Sequence, residues 1–137
     1  MKSKTLQICL LALFCALSAV GARFPIYGSI ALDALPAFLA ALLLGGPAGA
    51  VVGAAPAENL LSATLAGFPY TLPLHLVIAA EMAAICFLTG WIACRRGAPV
   101  WLAAAAAFVL NAFGSPLILL VWPGMGWGPF IAALPVL

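Results

Sequence analysis

Only eight of the 137 side chains carry a formal charge, and the stretches between them are long and apolar. A soluble domain draws about a quarter of its residues from Asp, Glu, Lys and Arg. Two thirds of this chain is hydrophobic, which leaves too little polar surface to cover a globule in water. Hydrocarbon is the solvent that suits it. Each crossing of a bilayer takes ~20 apolar residues, so the length accommodates about five or six helices. The expected fold class is an all-α integral membrane protein, a six-helix transmembrane bundle forming one domain.

Turn chemistry divides the apolar runs. Helices are expected over about 6–22, 34–44, 48–66, 74–94 and 100–121, the second with a possible start near Ile30. Gly45, Gly46 and Pro47 make the turn between the second and third, because glycine accepts unusual backbone angles and proline starts a helix well. A sixth helix begins near Pro129 and has nine residues through Leu137, too few to cross. It reads as a truncated sixth helix. The N-terminus, with Lys2 and Lys4, an apolar run and then Val20, Gly21 and Ala22, has the shape of a signal peptide. The apolar runs that follow favour an uncleaved first helix. Phe14 precedes Cys15, which excludes a lipoprotein signal.

Basic residues set the expected orientation. Lys2 and Lys4 put the N-terminus in the cytoplasm, and four crossings then bring Arg95 and Arg96 to the same side. Segments 23–33, 67–74 and 122–128 face outward, with Arg23 the one cation on that side. The expected location is the bacterial cytoplasmic membrane, multi-pass.

Few side chains can meet a solute, so each is informative. Asp33, Glu58 and Glu81 lie in or beside apolar segments, where an ionisable group is costly and faces a cavity, the bundle interior or a partner. Glu81 sits ~10 Å inside the outer end of its helix at 1.5 Å per residue. Glu58 and Asn59 fall near the middle of the third expected helix. Asn111 is half-way along the fifth, before Gly114, Ser115 and Pro116, which should kink it. Hydrogen bonding between helices accounts for such residues as readily as ligand binding does. His75 is expected at the outer surface. Tyr27, Phe68, Tyr70, Trp122 and Trp127 gather in the outward segments, either as an interfacial belt or as rings that stack on a heteroaromatic solute. Arg23 has a local or a ligand role.

Catalysis finds no support in the residues. His75 and Glu81, six apart, stand ~120° apart around a helix and cannot form a compact metal pair. There is no Cys-x-x-Cys, no Walker loop and no nucleophile elbow. Ser29, Ser62 and Ser115 have no histidine partner at helical spacing. Cys9, Cys15, Cys86 and Cys94 are expected as buried free thiols. No metal, cofactor or catalytic residue is expected, and a net charge of +2 without a basic run argues against nucleic acid. Any ATP-driven work would need other subunits. On the first helix Ala12, Ala16 and Ala19 line up at i, i+4 and i+7, a small-residue face that lets another helix approach closely, whether within the chain or in a partner.

The order of these pieces resembles a known family. A first helix with spaced small residues and a polar loop lead into Gly28-Ser-Ile-Ala-Leu-Asp-Ala-Leu-Pro-Ala37. Then come Leu42-Leu-Leu-Gly-Gly-Pro-Ala-Gly-Ala50, Leu60-Leu-Ser-Ala63, Gly67-Phe-Pro69 and Pro73-Leu-His75. This resembles the substrate-binding S components of energy-coupling factor vitamin importers, most of all the subfamily assigned to α-ribazole, a cobalamin precursor. The resemblance spans the chain and is most specific over 25–81. It implies a six-helix bundle binding one vitamin-like molecule near the outer face, beneath a lid matching 23–33. It also implies a transmembrane coupling subunit docked on Ala12 and Ala16, and two cytoplasmic ATPases that tilt the bundle. Arg23, Tyr27, Asp33, Asn59, Phe68, Tyr70, His75, Glu81, Asn111, Trp122 and Trp127 are the candidate substrate residues. Riboflavin, thiamine, pantothenate or a nucleoside would suit the same groups. The chain departs from the family pattern at Glu58-Asn59 and in its short sixth helix.

Overall fold

The computed structural model describes residues 3–21, 25–27, 30–31, 34–55, 72–121, 127–128 and 131. Its long elements are helical: α1 (Lys4–Gly21), α2 (Ala34–Leu44), α3 (Gly46–Gly53), α4 (Leu72–Gly90) and α5 (Val100–Val121). A π-helical turn, Trp91–Arg95, continues α4. Between α1 and α2, β1 (Pro25–Tyr27) and β2 (Ile30–Ala31) pair antiparallel. This ribbon fixes the start of α2 at Ala34, because Ile30 is already committed to a strand.

The packing is inverted relative to a soluble protein. Ala37, Ala40 and Ala41 are 0% exposed, while Trp101 is 70% and Phe108 67% exposed. In water that arrangement would waste the hydrophobic effect. In hydrocarbon it costs nothing, because lipid solvates the large side chains and small ones let backbones approach. Among the described residues, three segments are long and apolar enough to cross a membrane: Lys4–Gly21, Pro73–Arg95 and Val100–Ile118, with mean hydropathies of 1.8, 2.0 and 1.6. The fold is therefore that of a helical protein suited to a bilayer.

One expectation changes. The helix expected over 48–66 does not continue: α3 ends at Gly53, followed by a turn at Ala54. Pro56 explains the stop, since the residue before a proline is driven out of the helical region and helices end at or before it. Glu58 and Asn59, expected near the middle of that helix, lie outside the described residues. Of the six expected helices, the described residues hold five, three of them of spanning length. At 11 residues, α2 extends only ~16 Å at 1.5 Å per residue. The expected sixth helix over 129–137 lies outside the described residues except at Ile131.

Helix α1 packs on α2 through Phe14, with Leu10, Leu11 and Cys15 beside it. Leu17, Val20 and Gly21 of α1 share a groove with Leu35, Pro36 and Leu39 of α2. The C-terminal half of α1 therefore meets the N-terminal half of α2, and the pair is antiparallel. Gly46 meets Phe87 and Trp91, and Gly53 meets Met82 and Cys86, so α3 also runs antiparallel to α4. As a result the start of α1, the Gly45 turn and the end of α4 share one end of the bundle, bringing Lys4, Arg95 and Arg96 together there.

Candidate binding site

The position of α4 is fixed by glycines. Gly46, Gly49 and Gly53 recur at i, i+3 and i+7 along α3, one face of a helix. A β-carbon at Gly46 would stand 2.7 Å from the Phe87 carbonyl oxygen, and one at Gly53 would stand 3.0 Å from that of Met82. At Gly49 it would collide with Ala41. Across the seam, a β-carbon at Gly90 would run into the Gly46 amide and stand 2.6 Å from the Ala41 oxygen. Backbone meets backbone here, and no larger residue fits. The turn joining α2 to α3 requires glycine at position 45, where φ is +97°, a conformation that L side chains rarely adopt. The Cys94 thiol closes the same corner, donating to the Leu42 carbonyl oxygen at 3.5 Å.

Held this way, α4 buries a stripe of Leu74, His75, Met82, Ile85, Cys86 and Thr89. The Thr89 hydroxyl is satisfied locally, donating to the Ile85 carbonyl at 2.8 Å. His75, expected at an outer surface, is instead only 4% exposed and engages a neighbour within the fold. It lies about two turns before Met82 on the face that α4 turns toward the bundle, which the sequence position alone did not reveal. Glu81 lies ~120° around the helix from His75 at 100° per residue. It is half-buried and faces α5, where its carboxylate touches Gly114: a β-carbon there would overlap Glu81 Oε1. Glu81 is the one acid among the described residues, and it too has a partner.

Gly114 was read from sequence only as part of a kink. It also makes room for the Glu81 side chain. Pro116 stays inside α5 and has no N–H to give the Ala112 carbonyl. Asn111, half-buried, lies one turn before Gly114 on the same side of α5. The structure therefore brings Glu81 to the Asn111–Gly114 segment. His75 lies on a different face of α4, toward the other helices.

The remaining expected site residues divide. Tyr27 belongs to β1. Trp127 is 65% exposed and has a partner. Arg23, Asp33, Asn59, Phe68, Tyr70 and Trp122 lie outside the described residues. On α1, Phe14, Ser18 and Gly21 face the bundle. Ala12 and Ala16 are exposed and Ala19 is half-buried, which sets the alanine stripe ~140–200° from Phe14 at 100° per residue. Sequence reasoning missed Ser18, a fully buried hydroxyl; its i+4 spacing from Phe14 was the available signal. The thiols also differ from expectation. Cys86 is buried and Cys15 half-buried, whereas Cys9 and Cys94 are exposed, one on the outer side of α1 and one at the bundle's end. Comparison with family models, curated proteins and solved structures finds no match to the chain.

Proposed function

We propose that this chain is the substrate-specific subunit of an ATP-driven vitamin importer of the energy-coupling factor type, in the bacterial cytoplasmic membrane. Its best substrate assignment is α-ribazole, with riboflavin, thiamine and pantothenate as the other candidates. The carrying observation is the segregation of polar groups along the bundle. Lys4, Arg95 and Arg96 occupy one end. Asn111, Glu81 and His75 lie ~16–30 Å farther along their helices at 1.5 Å per residue. With the cationic end in the cytoplasm, the carboxylate, amide and imidazole lie toward the outer side, from which a solute would come. A carboxylate and an amide are the groups that hold sugar hydroxyls. The exposed Ala12 and Ala16 supply a face for a coupling subunit, and two cytoplasmic ATPases supply the energy that this chain lacks.

Thermal unfolding of the detergent-purified protein against α-ribazole, cobalamin, riboflavin, thiamine, biotin and pantothenate tests the reading. A ligand at a hundred times its Kd adds about 2.7 kcal/mol to the folded state, a clear rise in the midpoint for the correct compound alone. No rise with any compound, together with no copurifying coupling subunit, overturns it. A second reading, a membrane assembly protein, is favoured by the Glu81–Gly114 contact and the buried His75, since both also serve helix association. That reading expects Glu81→Gln to lower stability with no small molecule bound.

A further inference from the structure

The end of the bundle that carries Lys4, Arg95 and Arg96 also holds a pit of about 180 Å³. Gly45, Gly46 and Pro47 of the α2–α3 turn form one wall, and Phe87, Gly90, Trp91, Cys94 and Arg95 of α4 form the other. The pit lies at the end of the glycine seam, at the Gly45 turn, where a β-carbon on Gly45 would meet nothing within 4 Å. Its polar equipment is cationic. Arg95 is exposed and makes no ion pair among the described residues. Arg96 lies over the Trp91 ring, 4.5 Å from its centroid, which holds a second guanidinium beside the pit. Glu81, the one described acid, is ~21 Å away along α4 at 1.5 Å per residue. That is about twice the screening length at 0.1 M salt, so nothing described neutralises the arginines.

The pit sits where the apolar length of α4 ends, and its rim passes directly into side chains that face hydrocarbon: Phe87 lines it, and Leu88 and Leu43 are exposed nearby. A free anion would use the arginines and leave the apolar rim bare. A molecule with a phosphate attached to acyl chains uses both. Basic pockets between helices at a membrane boundary take anionic head groups for this reason. We propose that this pit binds the head group of an anionic phospholipid such as phosphatidylglycerol. Arg95 pairs with the phosphate, the Trp91 ring stands at the boundary, and the acyl chains lie along Phe87 and Leu88. The site is independent of the transport reading.

The test uses the full chain in mixed micelles, read by thermal unfolding and by native mass spectrometry of retained lipid. Phosphatidylglycerol should raise the midpoint more than phosphatidylcholine of the same chain length, and should remain bound to the protein. Arg95→Gln should weaken that binding about fivefold, the effect of one basic residue near a charged membrane surface. Lys4→Gln, at the same end but outside the pit, should leave it unchanged. Equal response to the two lipids overturns the proposal without reference to any variant. So does equal loss in Arg95→Gln and Lys4→Gln, which would mean diffuse surface charge. A matching shift with inorganic phosphate alone would replace the lipid with a simple anion and overturn it as well.

Discussion

The two seams of α4 are built on different principles. Against α2 and α3 it packs by glycine, with Gly46, Gly53 and Gly90 bringing main chains together. Against α5 a glycine is also required, but the space it leaves is filled by the carboxylate of Glu81. The first seam has no spare capacity: it is a joint. The second spends its small residue on an ionisable side chain inside a segment of spanning length, where such groups are costly and mark sites by default. The same residue type therefore serves fixation on one side of the helix and accommodation on the other.

Gly90→Val is the strongest way to break the first seam. The new atoms meet the Gly46 amide and the Ala41 carbonyl, both main-chain groups that cannot rotate aside. Overpacking costs about 1–3 kcal/mol and more where the backbone must move, so we expect a loss of at least about 3 kcal/mol or no folded protein in detergent. A midpoint near wild type would mean that α3 and α4 are not in main-chain contact.

Gly114→Ala probes the second seam, where the obstacle is the far end of a flexible side chain. The expected loss is smaller, about 1–2 kcal/mol, and it should disappear in the Glu81→Ala background because the methyl group then has room. A double-mutant cycle on unfolding free energy measures this coupling. Additive effects would separate the two residues. Glu81→Gln preserves shape and removes charge, so under the transport reading it should leave the seam intact. On that reading it weakens ligand binding by about 1–3 kcal/mol, the scale of charge-assisted hydrogen bonds. Unchanged affinity measured by titration would make Glu81 purely an interhelical residue.

Sequence patterning revealed elements more readily than seams. The bounds 34–44 and 100–121 coincide with α2 and α5, because Gly45, Gly97 and the prolines act locally on the chain that contains them. Pro56 was equally local, yet the apolar run across it masked its effect, and the expected 48–66 helix stops at Gly53. Contacts between elements were not legible. Nothing in the run 72–90 distinguishes Gly90, which meets main chain, from an ordinary helix residue, and nothing near Gly114 announces Glu81. Such pairings depend on helix rotation, and in a chain apolar on every face the hydrophobic pattern does not set rotation. His75 shows the consequence: its depth was judged from its place near a helix end, but rotation toward the bundle is what buried it.

Ala16→Leu has the smallest expected effect on the fold and separates the outer face of α1 from both seams. The α1 side that meets the bundle is Phe14, Ser18 and Gly21, and Ala16 points the opposite way, exposed. Added bulk there meets only lipid in the isolated protein, so stability should stay within about 0.5 kcal/mol of wild type, as for surface changes generally. Ligand-induced stabilisation should persist for the same reason. A helix docking on the alanine stripe would be held off by a leucine, so copurification with a coupling subunit should fail while the free subunit remains folded. If the variant unfolds, α1 is turned differently in the bundle. If it assembles normally, the alanine stripe is a lipid-facing surface and docking belongs to another helix.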